Sequence, residues 1–385
     1  MSAGPAAPAG PGPAGAEAGR IYVTDCEGPL TRNDNAQEIA DRFVPDGAEL
    51  FARLSRYDDF LADVVARPGY NAGDTLRLLP PFLRAHYVTD EDVEEFSAEQ
   101  VLLVPQALTT LDAVSALLPA YIISTSYTPY LRALCELAGF PFEHVRCTEL
   151  SLDAWEMPEA EAAWLREMAT RVLTRPVIEI PDGARSADDL APDDRETVAE
   201  LDDLFWTRME GKVSGAMLAT VHPVGGGQKL AALDEIVATE GAATPGVATE
   251  GAAATEGAAA SDDGGGGVRY VGDSITDAPP LEAVKAWGGV SLSFNGNGYA
   301  IAAAEFAAAS PDAEVQAQLA RAFAAGGRDA AEAAVRAWPK RKKGTPPRGR
   351  ARATVGVVAE AREALAQASA AARRSDRGER VARLG

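Results

Sequence analysis

The sequence predicts an α/β fold built on a mainly parallel sheet, with a helical insert. Three observations predict it. Short apolar runs rich in β-branched and aromatic residues alternate with stretches of helical spacing. Three of these runs stop abruptly at a polar residue: Asp25, Ser124 and Asp273. Between the first and the second, residues 32–105 carry helical patterns instead of further runs of that kind.

The elements follow in order. Residues 1–19 are mostly Ala, Gly and Pro, without the basic start and apolar block of a signal peptide, and are expected to be a disordered arm. Residues 20–24 (RIYVT) read as a buried strand that closes at Asp25-Cys26-Glu27-Gly28-Pro29. From about 35 to 66, Ile39, Phe43, Leu50, Phe51, Leu54 and Leu61 fall at helical spacing. More helix is expected over 72–118, broken at Pro80-Pro81 and at Pro105. Residues 120–124 (AYIIS) form the second strand; a helix over 129–138 stops at Gly139, and 144–148 is the third strand. Residues 151–215 are mostly helical and acidic, and either extend the core or form an accessory lid. Gly225-Gly226-Gly227-Gln228-Lys229 opens a helix reaching about 237.

Residues 238–267 are of low complexity, with ATEGAA recurring. Such a segment cannot bury enough apolar surface to offset its chain entropy and is expected to be a flexible insertion. Order resumes at 268–271 (VRYV), ahead of Gly272-Asp273-Ser274-Ile275-Thr276-Asp277, and another strand is expected over 289–294. Residues 306–338 are expected to be helical. Residues 339–385 read as a solvated basic tail with an Ala-rich helix at about 354–373. Its run Lys340, Arg341, Lys342 and Lys343 offers a second reading, docking to an acidic protein partner.

Composition narrows the function. The net charge of −21 opposes nucleic acid and anionic membranes as main partners. No apolar run approaches the roughly 20 residues that span a bilayer. The three cysteines, Cys26, Cys135 and Cys147, give no disulfide framework, and with three histidines they give no Cys/His zinc site. The cytoplasm is the expected compartment.

In a parallel sheet the carboxyl ends of the strands meet at one edge, so Asp25, Ser124 and Asp273 are expected to converge on one pocket. The carboxylates of Asp25 and Asp273 suit Mg²⁺, a hard cation that takes oxygen ligands. With Lys229, such an ion can neutralise a bound phosphate and ease attack by a carboxylate. Asp25 is then the nucleophile on phosphorus, and Glu27 the general acid and base. Ser124, or its neighbour Thr125, binds the phosphoryl oxygens.

DCEGPL at 25–30, IISTS at 122–126, the lysine of GGGQKLAAL and GDSITD at 272–277 resemble, in order, the four motifs of the haloacid dehalogenase superfamily. The resemblance implies a Rossmann-like core of residues 20–31 and 106–305, with 32–105 as a helical cap. It implies Asp25, the Glu27 backbone carbonyl and Asp273 as metal ligands, Ser124, Thr125 and Lys229 as phosphate binders, and Asp277 as the residue that orients Lys229 or a metal-bound water. Gly28 and Ser274 support the two loops. The closest branch is similar to the phosphoserine phosphatases; there, an acid at the spacing of Asp34 contacts the substrate amine, and Arg53 and Arg56 are candidates to hold a substrate carboxylate. DCEGPLTRNDNAQEIA also resembles archaeal members labelled as a subunit of an energy-converting hydrogenase. The sequence departs from the common pattern at Glu27, where most members have Asp, and at Pro29, where Thr is common. The implied activity is hydrolysis of a small phosphorylated metabolite. The alternatives are phosphoryl transfer to another acceptor and a weakly active accessory subunit.

Overall fold

The computed structural model describes residues 19–241, 267–339 and 352–384. Most of the expected arm (1–18), most of the low-complexity insertion (242–266) and most of the basic run (340–351) lie outside the described residues.

Seven strands form one sheet. They are β1 (Ile21–Thr24), β2 (Ala120–Tyr127), β3 (Val145–Thr148), β4 (Val268–Gly272), β5 (Val290–Phe294), β6 (Phe306–Ala309) and β7 (Thr354–Val357). Their order is β3-β2-β1-β4-β5-β6-β7, parallel throughout except for the antiparallel β6–β7 pair. The sheet grows outward from β1 through β2 to β3, then the chain returns and lays β4 on the other side of β1. The order therefore reverses between β1 and β4, which is where open α/β sheets bind ligands.

The helices follow the strands in the chain. α1 (Asn35–Phe43), α2 (Gly47–Asp59), α3 (Thr75–Leu78), α4 (Pro80–Ala85) and α5 (Asp90–Glu99) come after β1, and α6 (Ala107–Ser115) leads into β2. α7 (Thr128–Ala138) leads to β3; α8 (Glu159–Leu173), α9 (Pro192–Asp203), α10 (Val213–Thr220) and α11 (Gly227–Glu240) precede β4. α12 (Ala278–Ala286) leads to β5, α13 (Gly298–Ala303) to β6, α14 (Glu314–Arg336) follows β6, and α15 (Val358–Leu384) follows β7. None of the described helices is long and apolar enough to cross a membrane.

Alternation along β1 explains the layering. Tyr22 packs on one face with Ile122, Val271, Leu292 and residues of α6, α7 and α14. Ile21 and Val23 point to the other face, with Leu233 of α11, Leu281 of α12 and Ala300 of α13. A strand covered on both faces needs a continuous apolar run, and IYVT is one.

The helices from 159 to 220 do not extend this sandwich. Leu165, Met168, Leu201, Phe205 and Met217 share one core with Leu50, Leu54, Tyr57, Phe82 and Leu83 of the first helical segment. Two segments far apart in the chain thus build one helical assembly. Polar staples reinforce it: Arg53 Nε donates to the Arg175 carbonyl at 2.7 Å, and Arg56 Nε to the Ile178 carbonyl at 3.3 Å.

The structure corrects the sequence reading in three places. β2 runs on to Tyr127 instead of stopping at Ser124. Residues 306–309 (FAAA), expected to be helical, form β6, because tertiary burial between β5 and β7 overrides the helix preference of alanine. Residues 354–357 (TVGV) form β7 on the sheet edge, so this part of the tail is built into the fold. Val358 and Leu365 then seat α15 on Ile301 and Ala307.

Phe205 stacks on Tyr57 and meets Phe82 edge-on, at centroid distances of 6.1 and 6.2 Å. Phe205→Ala should therefore cost about 3–5 kcal/mol. In urea melts, tryptophan fluorescence and far-UV ellipticity should shift together. Two separated transitions would show that the two helical segments do not share a core.

Candidate functional site

The register fixes which residues meet at the strand ends. Thr24 lies opposite Ile122 on one side and Val271 on the other. Asp25 continues the ladder, its N–H donating to the Val271 carbonyl at 2.8 Å. One residue further, the loop turns: the Cys26 N–H donates to Asp25 Oδ1 at 2.7 Å, and Gly28 takes φ +98°. A Cβ on Gly28 would lie 2.3 Å from Asp273 Cγ, so only glycine allows this loop to close on the Asp273 carboxylate.

Lys229 occupies the first turn of α11 and is fully buried. Its Nζ sits 2.8 Å from Asp25 Oδ2 and 2.8 Å from Asp277 Oδ1. Asp277 is the better satisfied partner. Its Oδ1 also accepts from the Tyr270 hydroxyl at 2.8 Å, and its Oδ2 accepts the N–H groups of Asp273 and Ser274 at 3.0 and 3.1 Å. The last of these belongs to a capping box, Ser274 to Asp277, that precedes α12 and its Pro279-Pro280 start.

Electrostatics separates the two carboxyls. Burial pushes Asp25 well above the usual carboxylate range; the neighbouring Asp277 and Asp273 charges add to this, and Lys229 opposes it. Burial acts on Asp277 too, but Lys229 and the hydrogen bonds it accepts outweigh it and hold this carboxyl below its ordinary value. Burial works against the charge of Lys229, yet Asp25 and Asp277 together raise its pKa. Cys26 is buried beside Thr31, and burial followed by the Glu27 and Asp25 charges pushes its thiol well up, which suits packing and not redox chemistry.

Above these groups lies a cavity of about 140 Å³, lined by strand-end residues below and by Phe51, Ser55, Asp58 and Asp59 of α2 above. It contains Asp25, Glu27, Asp34, Ser124, Thr125, Asp273 and Ser274, so the structure brings these sequence-predicted residues together. Lys229 and Asp277 lie beneath. Glu27 Oε1 accepts the Asn35 N–H at 2.8 Å, tying the loop to the start of α1. Asp34 both faces the cavity and caps α1, accepting the Gln37 N–H at 3.2 Å. Ser124 Oγ lies 3.1 Å from Ser126 Oγ and accepts the Ser126 N–H at 3.2 Å, while the Thr125 hydroxyl donates to the Val224 carbonyl.

Arg53 and Arg56 are placed differently from these residues. Neither lines the cavity; both are engaged as staples in the helical assembly, and Arg56 also pairs with Asp59 at 2.5 Å. The sequence reading missed Asp58 and Asp59, the Tyr270 hydroxyl and Arg373, whose Nη1 is 2.9 Å from Asp273 Oδ2. The acids of α2 sit within ordinary amphipathic patterning, and Arg373 lies a hundred residues from its partner, so no local signal marks them. A larger open groove of about 520 Å³ runs past Arg77, Trp206 and Lys212, but the buried acids do not reach it.

Asp25, Asp273 and Asp277 each offer a carboxylate oxygen, all within 4.8 Å of one another. An all-oxygen donor set fits a hard divalent cation. Asp25 and Asp273 are the better ligands, because Asp277 Oδ1 already accepts two donors and its Oδ2 three.

No protein-family model matches the chain, and no curated protein does. Among solved structures, the chain is similar to gene product AF1437 from Archaeoglobus fulgidus, with a TM-score of 0.76 and 27% sequence identity. The match covers 95% of this chain and 99% of that one.

Lys229→Met would leave Asp25 and Asp277 buried without their shared cation, and should destabilise the protein by about 3–5 kcal/mol. Adding Asp277→Asn should recover part of that loss in chemical denaturation, because one of the unpaired charges is removed. Strictly additive losses would mean that the three groups do not act as a unit.

Proposed function

We propose that the chain is a phosphohydrolase of the haloacid dehalogenase type, hydrolysing a small phosphomonoester through an aspartyl-phosphate on Asp25 with Mg²⁺ as cofactor. One observation carries the reading: Lys229 lies 2.8 Å from Asp25 and from Asp277, with Asp273 beside them, joining residues from three separate segments of the chain. On this reading the helical assembly is the cap, and α2 is the wall that faces the substrate.

Asp25 and Asp273 would hold the ion, with the Glu27 carbonyl as a further ligand. When bound, the ion neutralises phosphate charge and withdraws electron density from phosphorus. The residues supply the rest. Asp25 forms a bond to phosphorus as the bond to the ester oxygen breaks, and that oxygen takes a proton from the Glu27 carboxyl and leaves as an alcohol. Glu27 then accepts a proton from water, whose oxygen bonds to phosphorus while the Asp25–phosphorus bond breaks. Inorganic phosphate leaves and both side chains return to their starting states. Ser124 and the loop N–H groups bind phosphoryl oxygens, and Lys229 holds Asp25 in place.

The cavity also limits the substrate. About 140 Å³ is small beside the roughly 300–1,000 Å³ of sites for drug-sized ligands. Its lining includes Ser55, Asp58 and Asp59, the last paired with Arg56 from outside the lining, and no Lys, Arg or His. A leaving group bearing hydroxyls or an amine fits that wall; one bearing a second anion does not.

The binding of Glu27 to the Asn35 N–H favours one further reading, a slow or accessory member of the superfamily, since that carboxyl also has a structural task.

Asp25→Asn should abolish Mg²⁺-dependent phosphate release across a panel of phosphomonoesters; wild-type turnover in the folded variant would refute the proposal. Glu27→Gln should slow alkyl phosphates far more than nitrophenyl phosphate, by about 10²–10⁴-fold against a small effect. Equal slowing would remove Glu27 from the acid role.

A further inference from the structure

The C-terminal helix reaches into the acid cluster. Arg373 of α15 is buried, 5% exposed. Its Nη1 contacts Asp273 Oδ2 at 2.9 Å and the Asp273 carbonyl at 3.2 Å, a carbonyl that also accepts the Asn297 N–H. Arg373 makes these contacts without lining the cavity. The formal charges at the strand ends are then three carboxylates, Asp25, Asp273 and Asp277, against two cations, Lys229 and Arg373. α15 itself is seated by Val358 and Leu365 on Ile301 and Ala307, and it also touches α2, the upper wall of the cavity.

A divalent ion on Asp273 would place two positive charges beside a guanidinium in a dry cluster. Like charges repel strongly where water is excluded, and both cations want the same carboxylate. We propose that α15 is an internal strap: Arg373 holds Asp273 when no divalent cation is bound, and the strap and the cation exclude each other. This rests on the reading that Asp25 and Asp273 hold a divalent ion. It adds that metal loading loosens α15, and with it the contact to α2. The coupling must run both ways, so whatever holds α15 in place weakens the ion's binding by the same factor.

The test uses the full chain and Mn²⁺, with free Mn²⁺ read by electron paramagnetic resonance. Arg373→Met should bind Mn²⁺ roughly tenfold more tightly than wild type, within the usual range of coupling between sites. Arg374→Met, which removes the same charge from the exposed neighbouring position, should bind as wild type does. In the unaltered protein, Mg²⁺ should speed amide hydrogen exchange across residues 358–375, a readout that stands even if Arg373→Met fails to fold. Binding by Arg373→Met that equals or falls below wild type would overturn the strap, as would protection of α15 by Mg²⁺. If wild type and Arg373→Met both fail to bind Mn²⁺, the metal reading falls and takes the strap with it; if wild type binds and the variant binds no tighter, only the strap falls.

Discussion

One buried ammonium organises the strand ends. Lys229 is fully buried and bridges Asp25 and Asp277 at 2.8 Å each. Removing three charges from water is costly, and their attraction offsets that cost only where the remaining lone pairs are satisfied. Asp277 meets the condition with Tyr270 and two backbone N–H groups besides the lysine. Asp25 meets it less fully, with one backbone N–H of its own loop. Two carboxyls on one lysine therefore diverge, Asp277 held low and Asp25 pushed high. Such a split assigns tasks: the well-satisfied acid fixes the lysine, and the strained one faces the cavity.

The sheet places this triad, and the helical assembly roofs it. Reversal of strand order between β1 and β4 leaves a crevice at their carboxyl ends, and Asp25 and Asp273 stand at its two sides. The roof is α2, which cannot hold its position alone. Its apolar face, Leu50, Leu54 and Tyr57, is buried against residues that enter the chain more than a hundred positions later. Arg53 and Arg56 tie the same helix to the 174–178 segment. The later helices thus control the cavity without touching it.

Much of this was legible in the sequence. Buried parallel strands read as short apolar runs because both faces are covered, and IYVT, AYIIS and VRYV announced β1, β2 and β4. The polar residues closing those runs marked Asp25 and Asp273, and the glycines at 225–227 marked the helix start that carries Lys229. Strands of small residues did not show themselves: FAAA has the composition of a helix and becomes β6 only through its neighbours. For α2 the sequence gives a residue's helix but not the direction it faces. Arg53 and Arg56 point along the roof, whereas Asp58 and Asp59 beside them face the cavity. Arg373 depends on a contact across a hundred residues, which no periodicity encodes.

On the proposed reading, the placement of positive charge decides how the site takes an anion. The cavity's side chains are acids, hydroxyls and apolar groups; the cations, Lys229 and Arg373, are paired with the carboxylates. From there they offset buried charge without lining the cavity themselves. A phosphate dianion entering this space alone would meet Asp25, Glu27 and Asp273 and be repelled. Entry requires either protonation of the acids or a cation brought from solution. The pair Asp25 and Asp273 is where such a cation gains most, since their oxygens lie close together and Asp277 has no lone pair to spare. On the proposed reading, then, the anionic cavity is itself the selector: it admits phosphate only together with the ion.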